Sequence, residues 1–320
     1  MCFQRFIIVA TFCLLSISAA EECFHRGDLA IQYCDNNYDL IADTPQNPDE
    51  WIDPNPLIIS IPPAEDPIAY NESFSDLFQY LELCLNRTVI FYPSHNNEAE
   101  VEAMKAGRIH VASFSSGTMI SAVNHAGAVP FAAKGDHDGV RSTQLLVLVR
   151  ADSPYQSLVH LKGSRVAHTN KHSITGHLLP LTIFPKEGII PDEDYQVIFT
   201  NKHYLSILGV KSGDYQAAAI TSEIFERMID RQEIKRSDYR IIFEYGPLPA
   251  SAFSYKNTLM PQLQEELRAC FASFNFSKTM RNAYLNTDRF LPVNYKEHWQ
   301  VPREILRNAP LPDINSKKPF

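Results

Sequence analysis

The chain has 320 residues, 45% of them hydrophobic and 21% charged, with a formal net charge of −8. That length exceeds one typical hydrophobic core and predicts two compact units. No block of Lys or Arg offsets the acidic balance, which argues against a nucleic-acid or membrane-surface binder, and a small anion would have to be held by local dipoles against the overall field.

Residues 1–20, "MCFQRFIIVATFCLLSISAA", carry Arg5, an apolar run and small residues at Ser18 and Ala20, the pattern of a secretory signal peptide. The run is too short to span a bilayer, and the expected product is an exported, soluble chain without a lipid anchor. Four cysteines remain after cleavage. Cys23 and Cys34 flank a short polar loop and are expected to bridge, whereas Cys84 and Cys270 sit on helical apolar stripes and read first as buried thiols, a second bridge being the alternative.

Residues 21–54 are polar and rich in Asp, Asn and Pro, a loop-rich N-terminal extension. Asp35, Asn37, Asp39 and Asp43 alternate like calcium-loop ligands, but Leu40 stands where the loop glycine belongs, and a solvated Asx-turn loop is the competing reading. Asn71, Asn86 and Asn275 begin N-x-S/T sequons, relevant only to a eukaryotic secretory route.

From 55 onward, β-rich runs alternate with helical patterns, an α/β signature. Strands are predicted at 56–62, 88–93, 109–114, 144–150, 165–169, 195–200, 215–221 and 239–245. Helices are predicted at 71–86, 97–107, after 118, after 172, at 203–213 and 222–231, and through most of the chain beyond 257.

Three strand ends lead into hydroxyl-rich turns: "SFSSGT" after Phe114, "HSITG" after 169 and "TNKH" after 200. Ligands of open α/β sheets bind beyond such strand ends, where helix N-termini point. Ser115 and Ser116 in one half of the chain, and Ser173, Ile174, Thr175 and Gly176 in the other, are therefore candidates to grip one anion; each turn alone is also an ordinary helix cap. His203 starts a helix and could donate to a phosphoryl oxygen. Thr221 and Glu223 follow a strand end, where an acid also serves the helix dipole. His168, His172 and His177 suggest a metal, but no CxxC or HExxH accompanies them, and no GxSxG or Ser-His-Asp order supports a hydrolase. No cofactor is expected.

The ordered set "VEAMKAGRIHVASFSSG" (101–117), "HSITGHLLP" (172–180), "NKHYLSILGVKSGDYQAAAITSEIFERM" (201–228) and "RIIFEYGPLPASAFSY" (240–255) resembles the phosphonate/phosphite-type periplasmic binding proteins of ABC importers. The resemblance runs from about 55 to 290. It implies an α/β, two-lobed type II periplasmic-binding-protein fold with two crossing strands and a ligand site in the interlobe cleft. The implied division is an extension at 21–54, a first lobe of 55–148 plus 249–320, and a second lobe of 149–248. The family's Ser/Thr oxyanion loop falls on Ser173, Ile174 and Thr175, its ligand-facing histidine on His203 and its acidic residue on Glu223. Its first-lobe aromatic falls on Phe114, with Ser115 or Ser116 supplying the hydroxyl.

Relatives that hold an aminoalkyl phosphonate carry a second acid where this chain has Ser251, and His125 replaces a cysteine suited to arsenite in one branch. The implied protein is a periplasmic, monomeric, non-enzymatic receptor that closes on a small oxyanion and presents it to an ABC permease or, alternatively, to a membrane sensor kinase. The reading from a different class is a secreted metal-binding protein or hydrolase.

Overall fold

The alternation of β-rich runs and helices resolves into two separate mixed sheets. The computed structural model describes residues 23–61, 67–94 and 96–309. The segment read as an export signal lies outside them, and no helix among the described residues is long and apolar enough to cross a membrane.

The first lobe opens with β1 (Leu57–Ser60), α1 (Pro67–Leu85), β2 (Val89–Phe91), α2 (Asn97–Lys105), β3 (Val111–Phe114) and α3 (Ser116–Ala126), and β1 pairs in parallel with β2 and β3. The chain then forms β4 (Ala128–Asp136) and β5 (Gly139–Val140), joined by a tight turn. It enters the second lobe along β6 (Ser142–Arg150), followed by β7 (Arg165–His168), α4 (Leu179–Ile183), β8 (Gln196–Phe199), α5 (His203–Ser212), β9 (Ala217–Thr221), α6 (Ser222–Asp230) and β10 (Tyr239–Pro249). β10 runs antiparallel to β6, so these two strands carry the chain out and back. After the return come β11 (Ala252–Lys256), α7 (Pro261–Ser273), α8 (Lys278–Ala283), β12 (Arg289–Pro292), α9 (Tyr295–His298) and α10 (Gln300–Asn308).

The sheet orders are β12-β4-β11-β3-β1-β2, with β5 on β4, and β10-β6-β9-β7-β8. The predicted strands lie within or near their expected spans, but β4, β5, β11 and β12 were not expected. β4 is Ala-rich and contains Pro130 and Gly135, a run of weak strand preference. It is held instead by ladders to β11 and β12 on its two sides, with eight of its nine residues buried.

Each lobe buries apolar side chains on both sheet faces. In the first, Leu77 and Leu81 of α1 meet Leu263, Leu267 and Phe271 of α7 over the sheet, while Met119 and Val123 of α3 pack with Met104 on the other side. In the second, Leu145 and Val147 face Leu179 and Phe184, and Leu146 and Leu148 face Ile207 and Phe225. Ile305 of α10 joins the second lobe's core and Trp299, just before it, the first lobe's, so the C-terminal helix straddles both.

Two disulfides staple the first lobe and its extension. Cys23–Cys34 forms as its flanked loop suggests, with Cα atoms 5.5 Å apart. Cys84 and Cys270 are also bridged, which corrects the reading of both as buried thiols: α1 leaves Cys84 at the exposed rim of its stripe, 6.1 Å Cα to Cα from buried Cys270 on α7. Helical spacing places a residue on a face but says nothing of what stands opposite. The extension lies on the first lobe, with Leu29, Tyr33 and Ala42 in its core and the Asn257 amide donating to the Asp43 carbonyl at 2.9 Å.

Candidate functional site

Between the lobes lies a cavity of about 550 Å³ into which the hydroxyl-rich turns of both halves open. On the first lobe, Phe114 ends β3 wholly buried in the core and does not reach the cavity, whereas Ser115 and Ser116 line it. Ser115 is the N-cap of α3 but makes no side-chain cap; its hydroxyl pairs with Thr118 Oγ1 at 2.9 Å. The first N–H groups of α3 thus have no side-chain acceptor. The Ser116 hydroxyl donates to the Pro249 carbonyl, tying this turn to the end of the return strand.

On the second lobe, Ser173, Ile174 and Thr175 line the cavity and lead into a single π-turn before α4. Ser173 Oγ accepts from the Gly176 N–H at 3.0 Å, so the cap reading describes a real bond. A hydroxyl that accepts there still has its own hydrogen to give to an anion. Gly176 stands behind this wall, where a Cβ would collide with the Thr169 side chain. Across the cleft, a Cβ on Gly117 would strike the His172 carbonyl and press on Ile174. The two hydroxyl-rich turns therefore touch, and glycine at 117 is what permits it.

His203 reaches the same cavity from the start of α5. Its Nδ1 accepts from the Thr221 N–H at 3.2 Å, which fixes the neutral tautomer with the proton on Nε2. Burial pulls its pKa down to about 4 against the opposing pull of Glu223, so near neutral pH it is an uncharged donor. Thr221 lines the cavity, and its hydroxyl sits 2.5 Å from Thr143 Oγ1 on β6.

Glu223, one residue into α6, is engaged twice. Its Oε1 accepts from Lys134 Nζ at 2.6 Å and from Arg227 Nη2 at 2.7 Å. Burial resists its ionisation, but Lys134 and Arg227 outweigh that and hold its pKa at about 2. Burial likewise lowers the Lys134 pKa, opposed by Glu223. Lys134 lies on β4 and Glu223 on α6, so this ion pair crosses between the lobes. The Arg227 partnership was legible as an i,i+4 pair on a helix. Lys134 was not, because it lies on a strand whose sequence does not read as one. Asn170 and Asn201, in the turns after β7 and β8, also line the cavity, and their place at strand ends was the available signal.

The three histidines do not converge. His168 Nδ1 contacts His177 Nδ1 at 2.8 Å and its Nε2 contacts the Tyr195 hydroxyl at 2.9 Å, while His172 is exposed and 3.6 Å from Glu98. Burial pushes both His168 and His177 down, His177 to about 4, as expected of neutral imidazoles in a packed interior. In the extension, Asp35 accepts from the Asp39 and Leu40 N–H groups, Asp39 from Ile41, and Asp43 from Asn36. These oxygens do what the Asx-turn alternative requires, and Leu40 takes the left-handed backbone itself, with φ 70°. Among the described residues, the His, Cys, Asp or Glu side chains close enough to share an ion are Asp136, His137 and Asp138, around the turn from β4 to β5.

Comparison with known proteins places this geometry. Residues 59–299 match the family model described as "ABC transporter, phosphonate, periplasmic substrate-binding protein". The chain is 26% identical over 242 residues to the phosphate-import protein PhnD of Mycolicibacterium smegmatis, covering 72% of this chain and 75% of that one. Its fold is similar to a binding protein component of an ABC phosphonate transporter from Pseudomonas aeruginosa, with TM-score 0.68, 17% identity, and 78% and 85% of the two chains covered. PhnD1 of Prochlorococcus marinus, solved with methylphosphonate, gives TM-score 0.68 and 17% identity over 78% and 97%.

Proposed function

Because the chain belongs to the family of periplasmic phosphonate-binding proteins of ABC transporters, we propose that it is a periplasmic receptor for a small tetrahedral oxyanion, a phosphonate, phosphite or phosphate, which it delivers to a membrane permease. The observation that carries this reading is the meeting of two hydroxyl-rich turns, one from each lobe, at a single cavity, with Gly117 packed against Ile174. The relatives that import phosphate and bind methylphosphonate support the same ligand class.

The mechanism follows from the donors. The helix start at Ser116 and the hydroxyls of Ser115, Ser173 and Thr175 offer N–H and O–H groups to the oxygens, and His203 adds a neutral N–H. Each hydrogen bond to a charged oxygen contributes on the order of 1.5–3 kcal/mol. Since the donors divide between lobes, an anion that bridges them binds the closed state better than the open one, and that differential affinity drives closure.

Calorimetric titration with methylphosphonate, phosphite, phosphate and divalent cations tests the proposal. One or more oxyanions should bind, and Ser173→Ala combined with Thr175→Ala should abolish binding while circular dichroism stays native. Affinity unchanged in the double variant, or a response to metal ions alone, would overturn it.

A further inference from the structure

Two of the three histidines around the second-lobe turn stand behind it, and neither lines the cavity. His168, wholly buried, is the last residue of β7, and its Nδ1 lies 2.8 Å from Nδ1 of His177, on the π-turn Ile174–Leu178. Two imidazole nitrogens at that distance share one proton, one ring donating and the other accepting. The second nitrogen of His168, Nε2, is engaged by the Tyr195 hydroxyl at 2.9 Å, so this ring is held at both ends. Phe199 packs against the pair, its ring centre 4.9 Å from that of His177.

The histidine bond joins the end of a strand to the turn that offers hydroxyls to the cavity. A second tie runs beside it, because the Thr169 N–H donates to the Gly176 carbonyl at 3.2 Å. His168 and Thr169 thus hold His177 and Gly176, neighbour to neighbour. Such holding is needed, because the turn is one residue wider than an α-helix: the Leu178 N–H reaches the Ser173 carbonyl and the Leu179 N–H the Ile174 carbonyl, each five residues back. Isolated π-turns are rare and concentrate at functional sites. Pro180 brings no N–H to close the next α-type bond, and the carbonyl that such a bond would use is that of Gly176, which accepts from Thr169 instead. An α register would swing the start of the turn about its axis by roughly 100°, one residue of a 3.6-residue turn, and carry the Ser173 hydroxyl with it.

Resting on the oxyanion-receptor reading above, we infer that His168 and His177 are positioning residues of the ligand site: their mutual hydrogen bond pins the π-turn in the register that presents Ser173 and Thr175 to the bound anion. Neither imidazole touches the ligand, and each acts through the backbone of the turn. His177 follows Thr175 by two residues on a single turn of helix, so an anion that draws on Ser173 and Thr175 also alters the bond between the two rings.

Calorimetry of the full mature chain with methylphosphonate, phosphite and phosphate, on wild type, His177→Leu and His177→Asn, tests the assignment. Leucine removes the bond, whereas the asparagine amide places a polar atom close to where Nδ1 stands and restores it. For the anions that the wild type binds, His177→Leu should bind about tenfold or more weaker, the loss of one hydrogen bond to a charged oxygen, and His177→Asn should stay within about threefold of wild type. A merely structural role would lower the melting temperature and leave the affinity of the folded protein where it was. In wild type with isotopically labelled histidine, the shared imidazole N–H should give a proton resonance that is protected from solvent exchange and moves when the anion is added. That spectrum decides if His177→Leu lacks a native circular dichroism spectrum. Undiminished affinity in folded His177→Leu, no rescue by His177→Asn, or a histidine resonance unmoved by an anion that binds overturns the inference and leaves the receptor reading intact. Absence of binding by all three anions to the wild type removes the receptor reading and this inference with it.

Discussion

The two lobes offer similar hydroxyl-rich turns to the cavity, yet different forces hold them together. The first is stapled: both disulfides lie in it and its extension, and Cys84–Cys270 closes a loop with a sequence separation of 186 that contains the whole second lobe. It also buries a carboxyl group, Glu100 on α2, which burial pushes up to about 8 although the Ser60 hydroxyl opposes this. The second lobe has no cysteine. It buries more imidazoles, with His168, His177 and His203 all pulled down by burial where the first lobe has His110. One lobe is thus cross-linked and buries a carboxyl group, and the other has no cysteine and holds more of the buried imidazoles.

Removing the covalent staple should separate them. Cys84→Ala with Cys270→Ala should cost up to about 4 kcal/mol, because a long loop is no longer closed in the unfolded chain. Denaturant unfolding followed by hydrogen exchange should show β1–β3 losing protection while β7–β9 keep theirs. Equal loss in both lobes would show that they unfold as one unit.

Acid should act on the opposite lobe. The folded pKa of His177 and of His203 is about 4, below the ordinary 6.5. Their contribution is therefore present above 6.5 and is lost as pH falls from 6.5 through 4, because the unfolded chain takes up protons first. The second lobe should lose up to about 3 kcal/mol for each of the two histidines across that window, read as exchange of the β7–β9 amides. Stability that stays flat between pH 6.5 and 4 would contradict the buried neutral histidines.

A third effect belongs to Glu100. Its raised folded pKa means that its contribution is fully present below 4.5 and is lost as pH rises through about 8. Glu100→Gln removes that dependence but buries an amide in exchange, so the variant should be the less stable protein at pH 4 and should gain on the wild type by at most about 4 kcal/mol on going to pH 8. Melting temperatures of the two proteins at both pH values check it. A gain independent of pH would mean that the carboxyl is not the cause.

Much of the second lobe was readable because its signals are local. Gln196–Phe199, Ala217–Thr221 and the helices after them carry their own β-rich runs, caps and periodicity, and Glu223 with Arg227 is an i,i+4 spacing. The first lobe's antiparallel half was not readable. The runs Ala128–Asp136, Ala252–Lys256 and Arg289–Pro292 become strands only because each finds a partner distant in the chain.

The candidate site divides along the same line. By itself the sequence determined the α/β pattern, the extension, and the hydroxyl turns at Ser115–Ser116 and Ser173–Thr175, since each depends on residues within a few positions of one another. Tertiary structure alone decided that those turns share a cavity, that Phe114 and Gly176 stand behind its walls, and that Cys84 meets Cys270. It also decided that Lys134 reaches Glu223 across 89 residues of chain. Charge and packing act through space, and an interaction between distant segments leaves no periodicity in either.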